Sequence, residues 1–174
     1  MNKEETRAKI KELGKWYQNI DINGVRTKAS DVDPLKIWRK IRALLPEKLD
    51  GLRILDLGSN AGHYSCLMAI EGAEVIGINH ANEFKAQAAF VREYFEEKHG
   101  KLNIKNIWED IREIDFDALG EFDYVLASAI IHHIGIHKYK KYTPEIVEYQ
   151  KKIIKRIHTK HFIIRTKNIP ENCI

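Results

Sequence analysis

From residue 53 onward, short apolar runs alternate with longer segments whose apolar residues recur every three or four positions, the pattern of strands followed by amphipathic helices. Arg53 to Leu57 reads as a buried strand. Gly58 allows a sharp turn, and a helix beginning at Gly62 carries Tyr64, Leu67 and Met68 before the Glu71-Gly72 stop. Ala73 to Ile78 is a second strand. A helix from Asn82 or Glu83 to Lys98 turns Phe84, Ala88, Val91 and Phe95 inward. Asn103 to Trp108 and Phe122 to Ser128 are the third and fourth strands. A helix over Pro144 to His158 then leads to a fifth strand, His161 to Arg165 or Thr166. The alternation predicts an α/β fold with an open, mainly parallel sheet.

The first fifty residues follow a different pattern. Ile10, Leu13, Trp16, Tyr17 and Ile20 predict a helix over residues 3 to 20, interrupted at Gly14, and Asn23-Gly24 marks a turn. A second helix opens near Asp33-Pro34, faces Leu35, Trp38, Ile41, Leu44 and Leu45 inward, and stops at Pro46. These segments are expected to cap the edge and mouth of the sheet. Residues 1–174 are read as a single domain, with 1–50 as cap and 51–174 as the sheet.

At 174 residues the chain can bury a core without staples. No apolar run approaches a membrane span, and Met-Asn-Lys-Glu-Glu does not resemble a signal peptide, so a soluble cytoplasmic protein with no membrane partner is expected. Cys66 and Cys173 lack metal-ligand spacing, and no metal is expected; Cys66 reads as a small core residue. The net charge of +4 is uneven, because ten Lys and Arg against three Glu follow Ile136. Such a tail suits RNA, but much of it lies on one helix. There Glu145 in the first turn and Lys155, Arg156 and His158 in the last complement the dipole, which favours a solvated face.

Candidate chemistry concentrates at the carboxyl ends of the strands. The stretch R-I-L-D-L-G-S-N-A-G-H-Y-S fails a dinucleotide fingerprint, since Asn60 and His63 stand where glycines belong. Its acid-x-Gly-x-x-x-Gly pattern suits a nucleoside carrying an amino-acid tail, with unpaired loop amides facing the ligand. Asp56 can hold a cationic amino group or the loop itself. Asn79, ending the second strand, offers one acceptor oxygen and an amide donor to a ribose. Asp110 can accept from an adenine amine with Ile111 packed on the ring, or can cap a turn. Ser128 and the turn after it, A-I-I-H-H-I-G, share the crevice at the strand-order reversal. His132 and His133 are therefore placed for chemistry or for shaping that crevice.

Taken together, W-Y-Q-N-I-D-I-N-G-V-R-T (Trp16 to Thr27), L-D-G-L-R-I-L-D-L-G-S-N-A-G-H-Y-S and E-G-A-E-V-I-G-I resemble the Rossmann-like (class I) S-adenosylmethionine-dependent methyltransferases. Within that class the similarity points to the family containing the bacterial tRNA wobble 5-carboxymethoxyuridine methyltransferase. The resemblance implies S-adenosyl-L-methionine as cofactor, held by Gly58, Ser59, Asn60, Ala61 and Gly62. The ribose position falls on Asn79, where the family usually shows Asp, and the adenine position on Asp110. His133 matches the family histidine after the fourth strand, and His132 replaces its tyrosine. No residue set implies the carboxylated cofactor of the tRNA enzyme.

The full methyltransferase sheet ends in an antiparallel pair, for which the eight residues after Thr166 are too few. A sheet of about five strands lacking that pair is expected, with a second copy or a partner subunit covering the fifth-strand edge. Three functions stay open. They are a methyltransferase for a small molecule or nucleoside, an RNA enzyme using Lys138, Lys140, Lys141, Tyr139 and Tyr142, and a cofactor-binding subunit of a catalytic partner. Histidine suits a general base, so His132 and His133 are the catalytic candidates, with Tyr17 and Arg26 as substrate contacts.

Overall fold

The computed structural model describes residues 1–28, 33–80, 82–135 and 143–165. Its sheet contains five parallel strands: β3 (Arg53–Leu57), β4 (Glu74–Ile78), β5 (Ile104–Ile107), β6 (Phe122–Ser128) and β7 (Thr159–Arg165). They run in the order β5-β4-β3-β6-β7. The chain starts in the middle, winds outward one way, then crosses to the other side. This places the order reversal between β3 and β6, paired from Ile54↔Tyr124 to Leu57↔Ala127. The α/β fold with an open parallel sheet expected from the alternation, and the Rossmann-like form that the family resemblance implied, are the ones found.

Helices cover both faces. Ile54 and Val75 pack with α3 (His63–Ile70), α4 (Lys85–His99) and the cap on one side. Leu55, Leu57, Ile76 and Ile78 face a second core on the other, with Phe116 of α5 (Phe116–Leu119) and Ile153 of α6 (Pro144–Ile154). Successive strand residues point to opposite faces, so a strand buried on both sides is apolar throughout, as Ile54 to Leu57 nearly is. Asp56 is the exception. The thiol of Cys66 lies in the first core, and burial pushes it up to about 12, in keeping with a packing role.

The cap departs from its expected shape. In place of one helix to residue 20, α1 spans Lys3–Glu12, because Gly14 ends it. Trp16 and Ile20 are still buried, through the loop that follows, where the Trp16 indole donates to Ile10 O at 2.9 Å. The Asn23-Gly24 turn joins two short antiparallel strands, β1 (Asp21–Ile22) and β2 (Val25–Arg26). The helix α2 covers only Lys36–Arg42, so Leu35 and Leu44 are exposed rather than inward, while Trp38, Ile41 and Leu45 are buried as expected. The cap is tied to the sheet layer by Gln87, whose amide donates to Leu13 O and Lys15 O, and by Arg42 to Glu71 at 2.6 Å.

The basic helix ends at Ile154, short of His158, and α5 had no signal beyond Asp115, which caps it. β7 pairs only with β6 among the described residues. None of the described helices is long and apolar enough to cross a membrane. The candidate RNA-contact residues Lys138, Tyr139, Lys140, Lys141 and Tyr142, together with Cys173 and the stretch after Arg165, lie outside the described residues.

Candidate functional site

The turn between β3 and α3 is built without slack. Gly58 adopts φ +69°, and a Cβ there would stand 2.7 Å from Ile130 Cγ1, so the position needs glycine on two counts. The Gly58 and Ser59 amides both donate to Ile78 O, at 2.8 and 3.2 Å, and Gly62 N–H donates to Ser59 O. The expectation of free loop donors is therefore corrected. Neighbouring strand β4 takes two of these amides, and the Asn60 and Ala61 amides are the ones left without a partner among the described residues. Asn60 Oδ1 is also buried without a partner.

Asp56 is 2% exposed, and its carboxylate accepts from Ser65 Oγ at 2.6 Å and from the Ser65 amide in the first turn of α3. It therefore ties the strand to the helix start. Burial raises its carboxyl to about 6, with the Ser65 bonds pulling the other way. Beside it His63, stacked on Tyr64 and Phe95, is pushed down to about 4 by burial.

Two cavities flank this loop. The larger, of about 410 Å³, lies over the carboxyl ends of β3 to β6 and is lined by Gly58, Asn60, Asn79, Asp110, Ile111, Ser128, Ile130 and His133, with Tyr17 at its rim. Here the fold brings together residues from five separate segments. Asp110 accepts from the Arg112 amide at 2.9 Å and from its guanidinium at 2.8 and 2.6 Å. That guanidinium holds the carboxyl down at about 2, so it is ionised at neutral pH. The Asn79 amide lies 3.5 Å from Asn60 O, linking the second strand end to the loop.

The smaller cavity, of about 270 Å³, lies on the cap side and shares Tyr17, Gly58, Asn60 and Ser128 with the first; Asp56, His63, Lys28 and Arg165 also line it. Not every candidate converges. His133 is exposed on the crevice wall, whereas His132 is half-buried, with its ring 4.1 Å from that of His133, and lines neither cavity. Arg26 lies on the exposed side of β2 and lines neither cavity. Ser59, Ala61 and Gly62 shape the loop from behind. Sequence reasoning passed over Arg112, Lys28 and Arg165. Only Arg165 carried a signal, as the last residue of a strand whose carboxyl end faces the mouth.

Five parallel strands in this order, with a glycine turn and a crevice at the reversal, define a nucleotide-binding α/β fold of the class I methyltransferase type. The family model described as "Methyltransferase domain" matches residues 54–152, more than half of the chain, and the chain belongs to that family. The N-terminal domain of EvdMO1, solved in the presence of S-adenosylhomocysteine and D-fucose, is similar at a TM-score of 0.64 and 26% identity. That match covers 92% of this chain and 64% of the domain, so the chain spans just under two-thirds of that length. Intact EvdMO1 is similar at 0.57 and 25% identity, over 87% of this chain and 33% of that one. WbdD, co-crystallised with a kinase inhibitor, matches at 0.51 and 25% identity, over 71% and 27%. No curated protein matches the chain.

Proposed function

We propose that the chain is an S-adenosylmethionine-dependent methyltransferase acting on a small-molecule acceptor. The observation that carries the methyl-donor part of this reading is the 410 Å³ crevice at the order reversal, within the size range of small-molecule sites, roughly 300–1,000 Å³. The residues present fit the cofactor. The floor is a glycine with no Cβ, the loop retains two unpaired amides, and an ionised carboxylate stands over β5. The EvdMO1 domain, solved with S-adenosylhomocysteine, supports the same ligand here.

Bound in this crevice, S-adenosylmethionine would supply an electrophilic methyl group on a sulfonium. The chain's own residues would then orient and shield. Asn79 would meet the ribose, Asp110 would accept from the adenine amine, and Ile111 would pack on the ring. Gly58, Asn60 and Ser128 line the path toward the methyl group, and Tyr17 meets the acceptor at the rim. Most of the acceleration comes from alignment and exclusion of water. His133, through a ring nitrogen, takes the acceptor's proton when that group is a hydroxyl or a protonated nitrogen, and His132 positions it through ring contact.

A small acceptor is supported by the D-fucose in whose presence the EvdMO1 domain was solved. The narrower likeness to the tRNA wobble family rests on the cap and strand motifs. Residues 1–174 are taken as one domain, since Gln87 and Arg42 join cap to sheet. Calorimetric titration with S-adenosylhomocysteine tests the reading. The wild type should bind, and Asn79→Ala should weaken binding roughly tenfold through the lost ribose contact. A wild type that shows no heat of binding while circular dichroism reports an intact fold would overturn it.

A further inference from the structure

The 270 Å³ cavity has an electrostatic feature that the methyl-donor reading leaves unused. Arg165, the last residue of β7, extends to the cavity and has only Ser128 Oγ, at 3.4 Å, as a hydrogen-bond partner; no carboxylate pairs with it among the described residues. Lys28 lines the same space, with Nζ 3.3 Å from Tyr17 O and likewise no acidic partner among the described residues. Two acids also line the cavity, and both are engaged elsewhere. Asp33 is bonded to the Arg39 guanidinium and to the Leu35 amide. Asp56 is buried and its carboxylate is taken up by the Ser65 hydroxyl at 2.6 Å. A half-buried guanidinium with no carboxylate partner among the described residues is suited to take an anion, because guanidinium groups pair best with carboxylate and phosphate oxygens.

The position of Arg165 indicates what that anion belongs to. In the reading above the donor would be held by residues at the ends of β5 and β4 and by the loop after β3. Arg165 stands two strands further, beyond β6, roughly 10 Å along the sheet at the usual strand spacing. Loop residues, including Asn60 with its unpaired buried oxygen, would hold the donor's own tail, and Arg165 reaches the same cavity from the end of β7. We propose that the methyl acceptor is a small anion, bearing a carboxylate or phosphate, that Arg165 grips with help from Lys28. Arg165 is then a specificity-determining residue, and neutral analogues of the acceptor bind poorly. The proposal rests on the methyl-donor reading for the identity of its neighbour, but the seat itself can be tested apart from it.

The test uses the full chain saturated with S-adenosylhomocysteine and titrated with inorganic phosphate and with acetate, followed by nuclear magnetic resonance at the Arg165 side chain. Binding of one or both anions to the wild type is expected, and comparison of the two identifies the preferred group. Arg165→Met should lower that affinity about tenfold, Arg165→Lys should restore part of it, and Lys28→Met, at an exposed position, about threefold. Affinity for S-adenosylhomocysteine should stay within about twofold in every variant. Unchanged anion affinity in Arg165→Met would overturn the seat. The proposal also fails if Arg165→Met weakens S-adenosylhomocysteine tenfold but leaves 5′-methylthioadenosine untouched, because the arginine would then hold the cofactor's own carboxylate. A wild type that binds neither nucleoside would refute the donor reading, and the same anion titration of the free protein would then decide the seat.

Discussion

The turn after β3 and the turn after β6 lie side by side, since their strands pair in register to Leu57↔Ala127, yet they are built differently. The first is buried along Ser59, Asn60 and Ala61 and is held by Ile78 O, by Ser65 and by the tight fit of Gly58 against Ile130. The second opens with Ala129 at φ +60°, a conformation alanine adopts at a cost, held by its amide to Arg165 O at 2.7 Å. It then exposes His133 to the crevice. A ligand-holding loop must be rigid before the ligand arrives. In the proposed reading the second turn presents His133 to the acceptor, which suits a side chain that stands at the surface. Ile130 joins the two, because its side chain closes the space under Gly58.

Breaking that joint should have the largest effect. Gly58→Ala drives a methyl group into Ile130 and forces alanine into the left-handed region, for a loss of about 2–4 kcal/mol in urea unfolding and loss of nucleoside binding. Adding Ile130→Ala should return about 1 kcal/mol; strict additivity in that double-mutant cycle would show that the two turns are not coupled.

The next effect separates two buried groups under the first turn by pH. Asp56 titrates near 6 in the fold against 3.8 when unfolded, so its contribution is full below pH 4 and is lost as pH rises to 6. His63, near 4 against 6.5, runs the other way, and its contribution is lost as pH falls from 6.5 to 4. Each is worth about 3 kcal/mol, so the two slopes nearly cancel across that window. Asp56→Asn removes one of them. Its stability relative to wild type should therefore fall by about 2 kcal/mol between pH 6.5 and pH 4, and a constant difference would mean that Asp56 titrates normally.

The smallest structural effect belongs to His133, the exposed residue of an otherwise largely buried turn. His133→Ala should change stability by less than about 0.5 kcal/mol and leave nucleoside affinity unchanged, while turnover of a hydroxyl acceptor falls roughly a hundredfold. Equal turnover would make His133 a wall of the crevice and nothing more.

These differences also explain what could be read from residue order. Arg53 to Leu57 and Phe122 to Ser128 were predicted to the residue, because runs buried on both faces and bounded by glycine or loop leave little choice. The loop glycines and Asn79 were legible for the same reason: a position at a strand's carboxyl end is set by the strand. Leu35 and Leu44 misled, because apolar spacing reports a face without saying how long the helix under it will be. Trp16 was placed inside correctly but on the wrong element, since a loop with its indole tied to Ile10 O buries it equally well.

Residue order alone determined the alternation of strands and helices, the position of the glycine turn and the family to which the chain belongs, because each depends on neighbours within a few positions. The tertiary structure decided that Asp56 ties itself to Ser65, that Arg112 takes up Asp110, and that Arg165 and Lys28 open into one cavity. Lys28 and Arg165 stand 137 residues apart in the chain and meet only because β7 docks beside β6 while the cap folds over the same strand ends. Local spacing encodes elements, but the field at a site is the sum over whatever the packing brings near.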